Sequence, residues 1–494
     1  MDYSETRARG APAVAALSLV VLGAAGCASP GRIAPREHLA DTAALAPGHE
    51  IAEAELAGRW PDADWWLSFG DPQLDALVAE ALGHAPRLAV ASARIRQAQA
   101  FADGARAGLL PSVDAGAAAM RVHPSDFQTP KATEWQNQAR LGLSYELDLW
   151  GRHRNALEGA LDGVQVAAYE ARSARLALVG AIVRTYAELA LQLDLQDSAR
   201  SVLEDQQKSL EVARRRMAAG IGTELPVRQA ETQIATTRSE LAQLDGRAAL
   251  LRHQLGALVG AGPGAGDPLR RPALRLDPSV AVPSRLPAEL LGRRPDVLAS
   301  RWRVERAARE IDVARAAFLP NVDLAAFAGV FAFGFTKLFT PDAVGWGAGP
   351  AISLPIFEGG RLRAGLEGRT AEYDAAVSDY QATLVDALTD VADQLARLGS
   401  LRREQAEREV ALASAERAHA LALQAYQAGF GDYLDTLVTE IALRGERDQL
   451  VRLRYAQLEA GAALTEALGG GVVPEAAAYA ADAAPVRVAA EAKP

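Results

Sequence analysis

Positive charge is the first thing in short supply. Against 62 acidic residues stand 52 lysines and arginines, a formal net charge of -10. No nucleic-acid partner is therefore expected, since such binding needs clustered cations. Aromatic residues make up only 6%. Abundant alanine takes their place, a composition suited to long helices in close contact. Catalytic signatures are missing too: there is no HExxH, no Walker-type GxxxxGK and no Gly-x-Ser-x-Gly. The seven histidines (38, 49, 84, 123, 153, 253, 419) show no ligand spacing. The chain reads as a non-enzyme without cofactor or metal. Past its beginning, no stretch reaches about 18 uninterrupted apolar residues, so no later helix is expected to span a bilayer.

The single cysteine matters for where it stands. Arg7 and Arg9 precede an apolar run, APAVAALSLVVLGAA, followed by Gly26-Cys27-Ala28-Ser29. A basic start, a short apolar core and small residues describe a secretory signal peptide. A cysteine directly after the small residues resembles the bacterial lipobox, in which Cys27 is acylated and becomes the new N-terminus. Ala24 stands where that motif usually has leucine. The competing reading is an ordinary cleaved signal with an incidental cysteine. Ala28 is not the aspartate that retains such lipoproteins at the inner membrane, which favours the outer one.

What the sequence does hold, it holds twice. ARAGLLPSVDA from Ala105 returns as ARAAFLPNVDL from Ala314. Pro320 minus Pro111 is 209, and the same offset links Pro86 to Pro295, Ser144 to Ser353, Gly220 to Gly429 and Gly260 to Gly469. A period this long is no solenoid unit; it marks an ancestral duplication. The expected plan is a signal peptide (1–26), a lipidated N-terminal segment and equatorial element (27–83), repeat 1 (84–260), a linker (261–292), repeat 2 (293–469) and a disordered, alanine-rich tail (470–494).

Each repeat opens with a helix, continues as a β-hairpin (112–150 and 321–358) and closes as a long helical hairpin (152–260 and 361–469). In the first β-hairpin Leu141, Leu143, Tyr145, Leu147 and Leu149 alternate with Arg140, Gly142, Ser144, Glu146 and Asp148, a two-faced strand. Val322, Leu324, Ala326, Ala328 and Val330 alternate more loosely, and Pro350 and Pro355 weaken the last strand's claim to a central position. A half-buried soluble sheet would show the same pattern. Length and export argue for a membrane: a tilted spanning strand needs about 9–11 residues. Four strands cannot close a barrel, for which about eight is the lower limit. Open edges do not persist in lipid, so several chains must share one barrel.

Proline is absent from Arg152 to Ala219 and again from 361 to 428. Helices of that length reach roughly 100 Å. Both end at Gly-containing turns, and returning helices follow. Leu241, Leu244, Ala248, Leu251, Leu255 and Leu258 form a coiled-coil seam. Leu450, Leu453, Ala460 and Leu464 repeat its register, and Leu178, Ile182, Tyr186, Leu189 and Leu193 face it from the outgoing side. These stripes read as core.

The ordered landmarks WPDADWWLSFGDPQL (60–74), LSYELDLWGR (143–152), LLGRRPDVLASRW (290–302), FLPNVDLAAFAG (318–329), SLPIFEGGRLRAGL (353–366) and AYQAGFGDYLDTL (425–437) carry a family resemblance. The chain resembles outer membrane factors of the TolC and OprM type, in the NodT-like lipoprotein branch that serves tripartite efflux systems. The resemblance implies a homotrimer with a 12-stranded outer-membrane barrel, four strands per chain, continuous with a periplasmic α-helical barrel. It implies partners as well: a periplasmic adaptor protein and an inner-membrane proton-driven transporter. The function it implies is a passive exit duct for drugs or other small molecules. Two alternatives stay open, an exit for type I protein secretion and a pore-less periplasmic coiled-coil scaffold.

Family members contact the adaptor at the helical turns, which makes Gly220, Ile221, Gly222, Gly429, Phe430 and Gly431 the docking candidates. Glycine is also simply what such turns require. Family members narrow the tip with acids six and nine positions after the second tip glycine. Here those positions hold Asp435 and Val438, so one acid is present, with Asp432 as a supplement. A ring of carboxylates would attract cations and gate with pH. The alternative is local: Asp432 as N-cap and Asp435 as a first-turn acid. The RRPD stretch, Arg293 to Asp296, is read as the structural opening of a helix.

Overall fold

The computed structural model describes residues 31–39, 46, 48–53, 60–122, 133–275 and 292–471. The expected signal peptide, Cys27, half of the linker (276–291) and most of the expected tail (472–494) lie outside the described residues.

Alternation and proline placement divide the chain into two similar series of elements. In order come α1 (His49–Glu53), α2 (Pro72–His84), α3 (Pro86–Ala107), β1 (Ser112–Val122), β2 (Glu134–Glu146), α4 (Arg152–Ala218) and α5 (Glu224–Val259). The second copy gives α6 (Pro295–Ala316), β3 (Asn321–Phe333), β4 (Val344–Ser353), α7 (Arg361–Gln427) and α8 (Tyr433–Ala467). The outgoing helices α4 and α7 are both 67 residues long.

The chain divides into two units. One comprises the described residues up to Leu39, Arg94–Ala168 and Ala299–Gln381; the other comprises those of Ala40–Ala93, Tyr169–Leu298 and from Ala382 on. The first unit holds one antiparallel sheet in the order β1-β2-β3-β4. β1 and β4 are its free edges, and Pro350 sits in the edge strand β4, where a missing donor is tolerated.

The alternation read to Leu149 ends early. β2 stops at Glu146, and the acid two residues on does different work. Asp148 Oδ1 accepts from the His153 amide (3.1 Å) and Oδ2 from the Arg154 amide (2.9 Å), capping the start of α4. Burial pushes its carboxyl up, but those amides and the Arg154 guanidinium outweigh burial and hold it below the usual range. Period-two patterning and capping chemistry coincided here by chance.

The second unit is helix packed on helix. Its core joins Trp65, Trp66 and Phe69 to Leu178, Ile182, Tyr186, Leu189, Leu251, Leu255 and Leu458. Every residue of the α4 stripe is buried, as are Leu244, Ala248, Leu251 and Leu255 of α5 and Leu450, Leu453, Ala460 and Leu464 of α8; Leu241 and Leu258 at the ends of the α5 seam are partly buried. Asp71 caps α2 through the Gln73 amide (2.9 Å) and also accepts from the Tyr186 hydroxyl (2.7 Å) and the Ala273 amide (2.7 Å). One buried carboxylate thus ties three segments.

At the start of α6 the RRPD stretch is held by ion pairs. The Arg294 guanidinium forks onto Asp296 (Nη2–Oδ2 2.6 Å, Nε–Oδ1 3.1 Å) and reaches Asp390 at 2.9 Å. Burial raises the Asp296 carboxyl, but its hydrogen bonds and charge pairing with Arg294 win and lower it. Among the described residues one helix, α4, is apolar and long enough to cross a membrane by composition. Two-thirds of that apolar window is buried in the protein, which accounts for it as core.

Candidate functional site

Two places combine chemistry with exposure: the helix-to-helix turns of the second unit and the two faces of the sheet in the first.

At the first turn Gly220 adopts φ 73°, its amide donates to Met217 O (3.0 Å), and the Ile221 amide reaches back to Arg216 O (3.1 Å). At the second, Gly429 adopts φ 87°, and the Phe430 and Gly431 amides both donate to Ala425 O (3.0 Å). These bonds satisfy the last carbonyls of α4 and α7, and only glycine takes the left-handed turn freely. The backbone therefore needs the glycines. The residues between them answer to a different need: Phe430 is 93% exposed and Ile221 69%. Neither packs on its own hairpin, so both are apolar groups held out from the tip.

The acids divide in role. Asp432 is the N-cap of α8, accepting from the Leu434 amide at 3.4 Å. Asp435 stands in the first turn and is exposed. Around it Leu434, Val438 and Ile441, spaced four and three, are each half exposed or more. A coiled-coil seam left uncovered beside a free carboxylate is a surface suited to another helix or to a narrow aqueous passage.

Sequence reasoning missed what joins the two hairpins. Arg216 Nη1 donates to Tyr426 O (3.0 Å), and its guanidinium lies 5.0 Å from the Tyr426 ring centre. The Tyr426 and Tyr433 rings lie 5.6 Å apart and pack with Ala230 and Leu437. Burial, with like charge from Glu440, pushes the Tyr433 hydroxyl up to about 12. Further along, Thr237 Oγ1 donates to Gln206 Oε1 (3.0 Å), both buried. Burial raises the Glu440 carboxyl, against a hydrogen bond from Gln206. A signal for the tyrosines existed: they flank Gly429 at minus three and plus four, where side chains fold back across the turn.

In the sheet, register sorts the strands into two faces. Val113, Leu141, Leu143, Leu324, Trp346 and Ile352 share one; Asp114, Gln138, Arg140, Phe327, Phe331 and Gly347 share the other. Of the six charged residues in these strands only Arg121 stands on the apolar face. Trp346 is 79% exposed and Ile352 72%. An apolar face this open to its surroundings, on strands of 10 to 13 residues, suits lipid, and the opposite face suits water.

A family model described as outer membrane efflux protein matches residues 77–261 and again 286–470, two matches offset by the same 209 residues. Fusaric acid resistance protein FusA of Burkholderia cepacia is 44% identical over 381 residues, covering 75% of this chain and 71% of its own. Multidrug resistance outer membrane protein MdtP of Shigella flexneri is 32% identical over 434 residues, 83% of this chain and 87% of its own. Among solved structures, outer membrane protein VceC of Vibrio cholerae superposes with a TM-score of 0.79 at 36% identity, covering 83% of this chain and all of that one.

Proposed function

The chain belongs to the outer membrane efflux protein family and is an efflux channel of the outer membrane, and from that premise we propose how its own residues work. The fold is the family's: four strands given to a trimeric β-barrel and two long helical hairpins given to an α-helical barrel. The free edges β1 and β4 are then paired between three identical copies, which leaves lipid no open strand. Export through such a duct needs no covalent chemistry, and the chain acts as a passive exit rather than an enzyme. Its cargo is small molecules, with organic acids among them as in the name of the FusA relative.

The tips carry the partner contacts. Ile221 and Phe430, held out by Gly220, Gly222, Gly429 and Gly431, insert into a periplasmic adaptor, which couples the duct to a proton-driven transporter of the inner membrane. The observation that carries this reading is the 93% exposure of Phe430: folding gains nothing from a phenyl ring in water. Asp435, three copies around one axis, is the periplasmic gate, with Asp432 serving its helix first. Cys27 is the lipid attachment point that holds the N-terminal segment at the outer membrane.

Single-channel recording tests the duct. Purified protein in planar bilayers is expected to conduct, and Asp435→Asn to lower its preference for cations. A protein that never conducts, even with Asp435 neutralised, would sink the reading. For the tip, a photo-crosslinker at Phe430 should capture an adaptor in cells, while one at solvent-exposed Met217 should capture less.

A further inference from the structure

The aqueous face of the sheet carries something a plain water channel does not need. Phe327 and Phe331 stand on it rather than on the lipid face, 45% and 40% exposed. Their rings meet edge to face, centroids 6.3 Å apart at 90°. They have room because the neighbouring strand offers glycine beneath them. A Cβ on Gly347 would come within 2.8 Å of the Phe327 ring, and one on Gly345 within 3.5 Å of the Phe331 ring. Two apolar rings are thus fitted into a floor cut for them, yet remain half open to water.

Directly across from Gly329, between the two phenylalanines, β2 places Arg140. It is exposed, and among the described residues it has no hydrogen bond or ion pair. The closest acid on this face, Asp114, lies over Gly142 one row away. Arg140 is the one cation that the described strands turn to the aqueous side. A planar donor fork in the row between two half-exposed rings is complementary to a flat anion: the guanidinium takes the carboxylate and the phenyl groups take the ring. An aliphatic acid would find only the first partner, and a neutral arene only the second.

Resting on the duct reading above, we infer that Arg140, Phe327 and Phe331 form a transit site for aromatic carboxylates in the lumen of the barrel. The site is weak by design, because a pore that held its cargo tightly would not release it.

The test uses the full-length protein in planar bilayers, with sodium benzoate as the probe and potassium chloride as the carrier. Benzoate is expected to reduce the chloride-salt current at millimolar concentrations, and acetate to do so at least five-fold less well. Arg140→Gln and the double variant Phe327→Ala/Phe331→Ala should each raise the half-blocking benzoate concentration about tenfold. Arg140→Lys, which keeps charge without the fork, should fall between. Arg121→Gln, on the lipid face, should block like the parent. Equal block in the parent and Arg140→Gln, or acetate as effective as benzoate, would overturn the site while leaving the duct standing. Channels that never open in any variant would overturn the duct and this site with it.

Discussion

Set 209 residues apart, Gly220 and Gly429 bend the chain at φ 73° and 87°, and in both turns the next amide reaches back to the carbonyl four residues before the glycine. The side chains around these matching backbones have gone separate ways. Arg216 corresponds to Ala425, Met217 to Tyr426, Thr223 to Asp432 and Pro226 to Asp435. The first tip sends an arginine; the second receives it on a tyrosine and carries Asp432 and Asp435. Thr223 makes no side-chain cap bond, whereas Asp432 does. Duplication supplied two equal turns, and divergence made one the brace and the other the candidate gate. What a tip does is therefore decided by a handful of side chains on an unchanged frame.

The comparison breaks hardest at Tyr426. Truncating this buried ring to alanine should cost about 3–5 kcal/mol, read as a loss in thermal or urea stability of the trimer. Met217→Ala at the matching position, 40% exposed, should cost well under 1 kcal/mol. Equal losses would mean that the two tips are braced alike after all.

The same asymmetry recurs where α6 opens, since Arg294 corresponds to Ala85 and Asp296 to Arg87. Asp296→Asn leaves the largely buried Arg294 short of one partner and should cost about 2–3 kcal/mol, the low end for such pairs because Asp296 is 39% exposed and water screens it. The pH dependence follows in sign. The Asp296 carboxyl is lowered in the folded state, so its contribution is complete above its unfolded pKa and is lost as pH falls through the folded one. Urea midpoints at neutral and acid pH should converge for parent and variant as the pH drops.

Glu440 has the opposite sign. Its folded pKa is raised by burial, so ionising it as pH rises costs stability. Glu440→Gln is expected to raise the melting temperature modestly at neutral pH and to remove the loss of stability that sets in as pH rises from the ordinary glutamate pKa through the raised folded one. The smallest contrast is at the caps. Asp432→Ala should cost about 0.5–1 kcal/mol, given its long bond, and Thr223→Ala almost nothing.

Much of this was legible in the residues alone. The offset of 209, the two proline-free helices and the leucine seams rest on periodicity, which burial enforces along a whole element. Leu178, Ile182, Tyr186, Leu189 and Leu193 are all core for that reason. The end of β2 was not legible, because Asp148 continues an alternating pattern while capping a helix. Nor was Arg216 with Tyr426: the pair is 210 residues apart in sequence, and no local spacing announces a contact between two hairpins. The face assignment of Phe327 needed the register with β4, where Gly347 makes its room.

The equal length of α4 and α7, 67 residues each, sets a rule for changing this protein's reach. One extra residue in a helix turns everything beyond it by about 100° and would rotate a buried leucine row into solvent. Seven residues nearly restore the facing and add about 10 Å, but only if the returning arm and both copies grow together. The molecule behaves as a ruler graduated in heptads, and shortening or extending it to span a different gap would take four matched edits, not one.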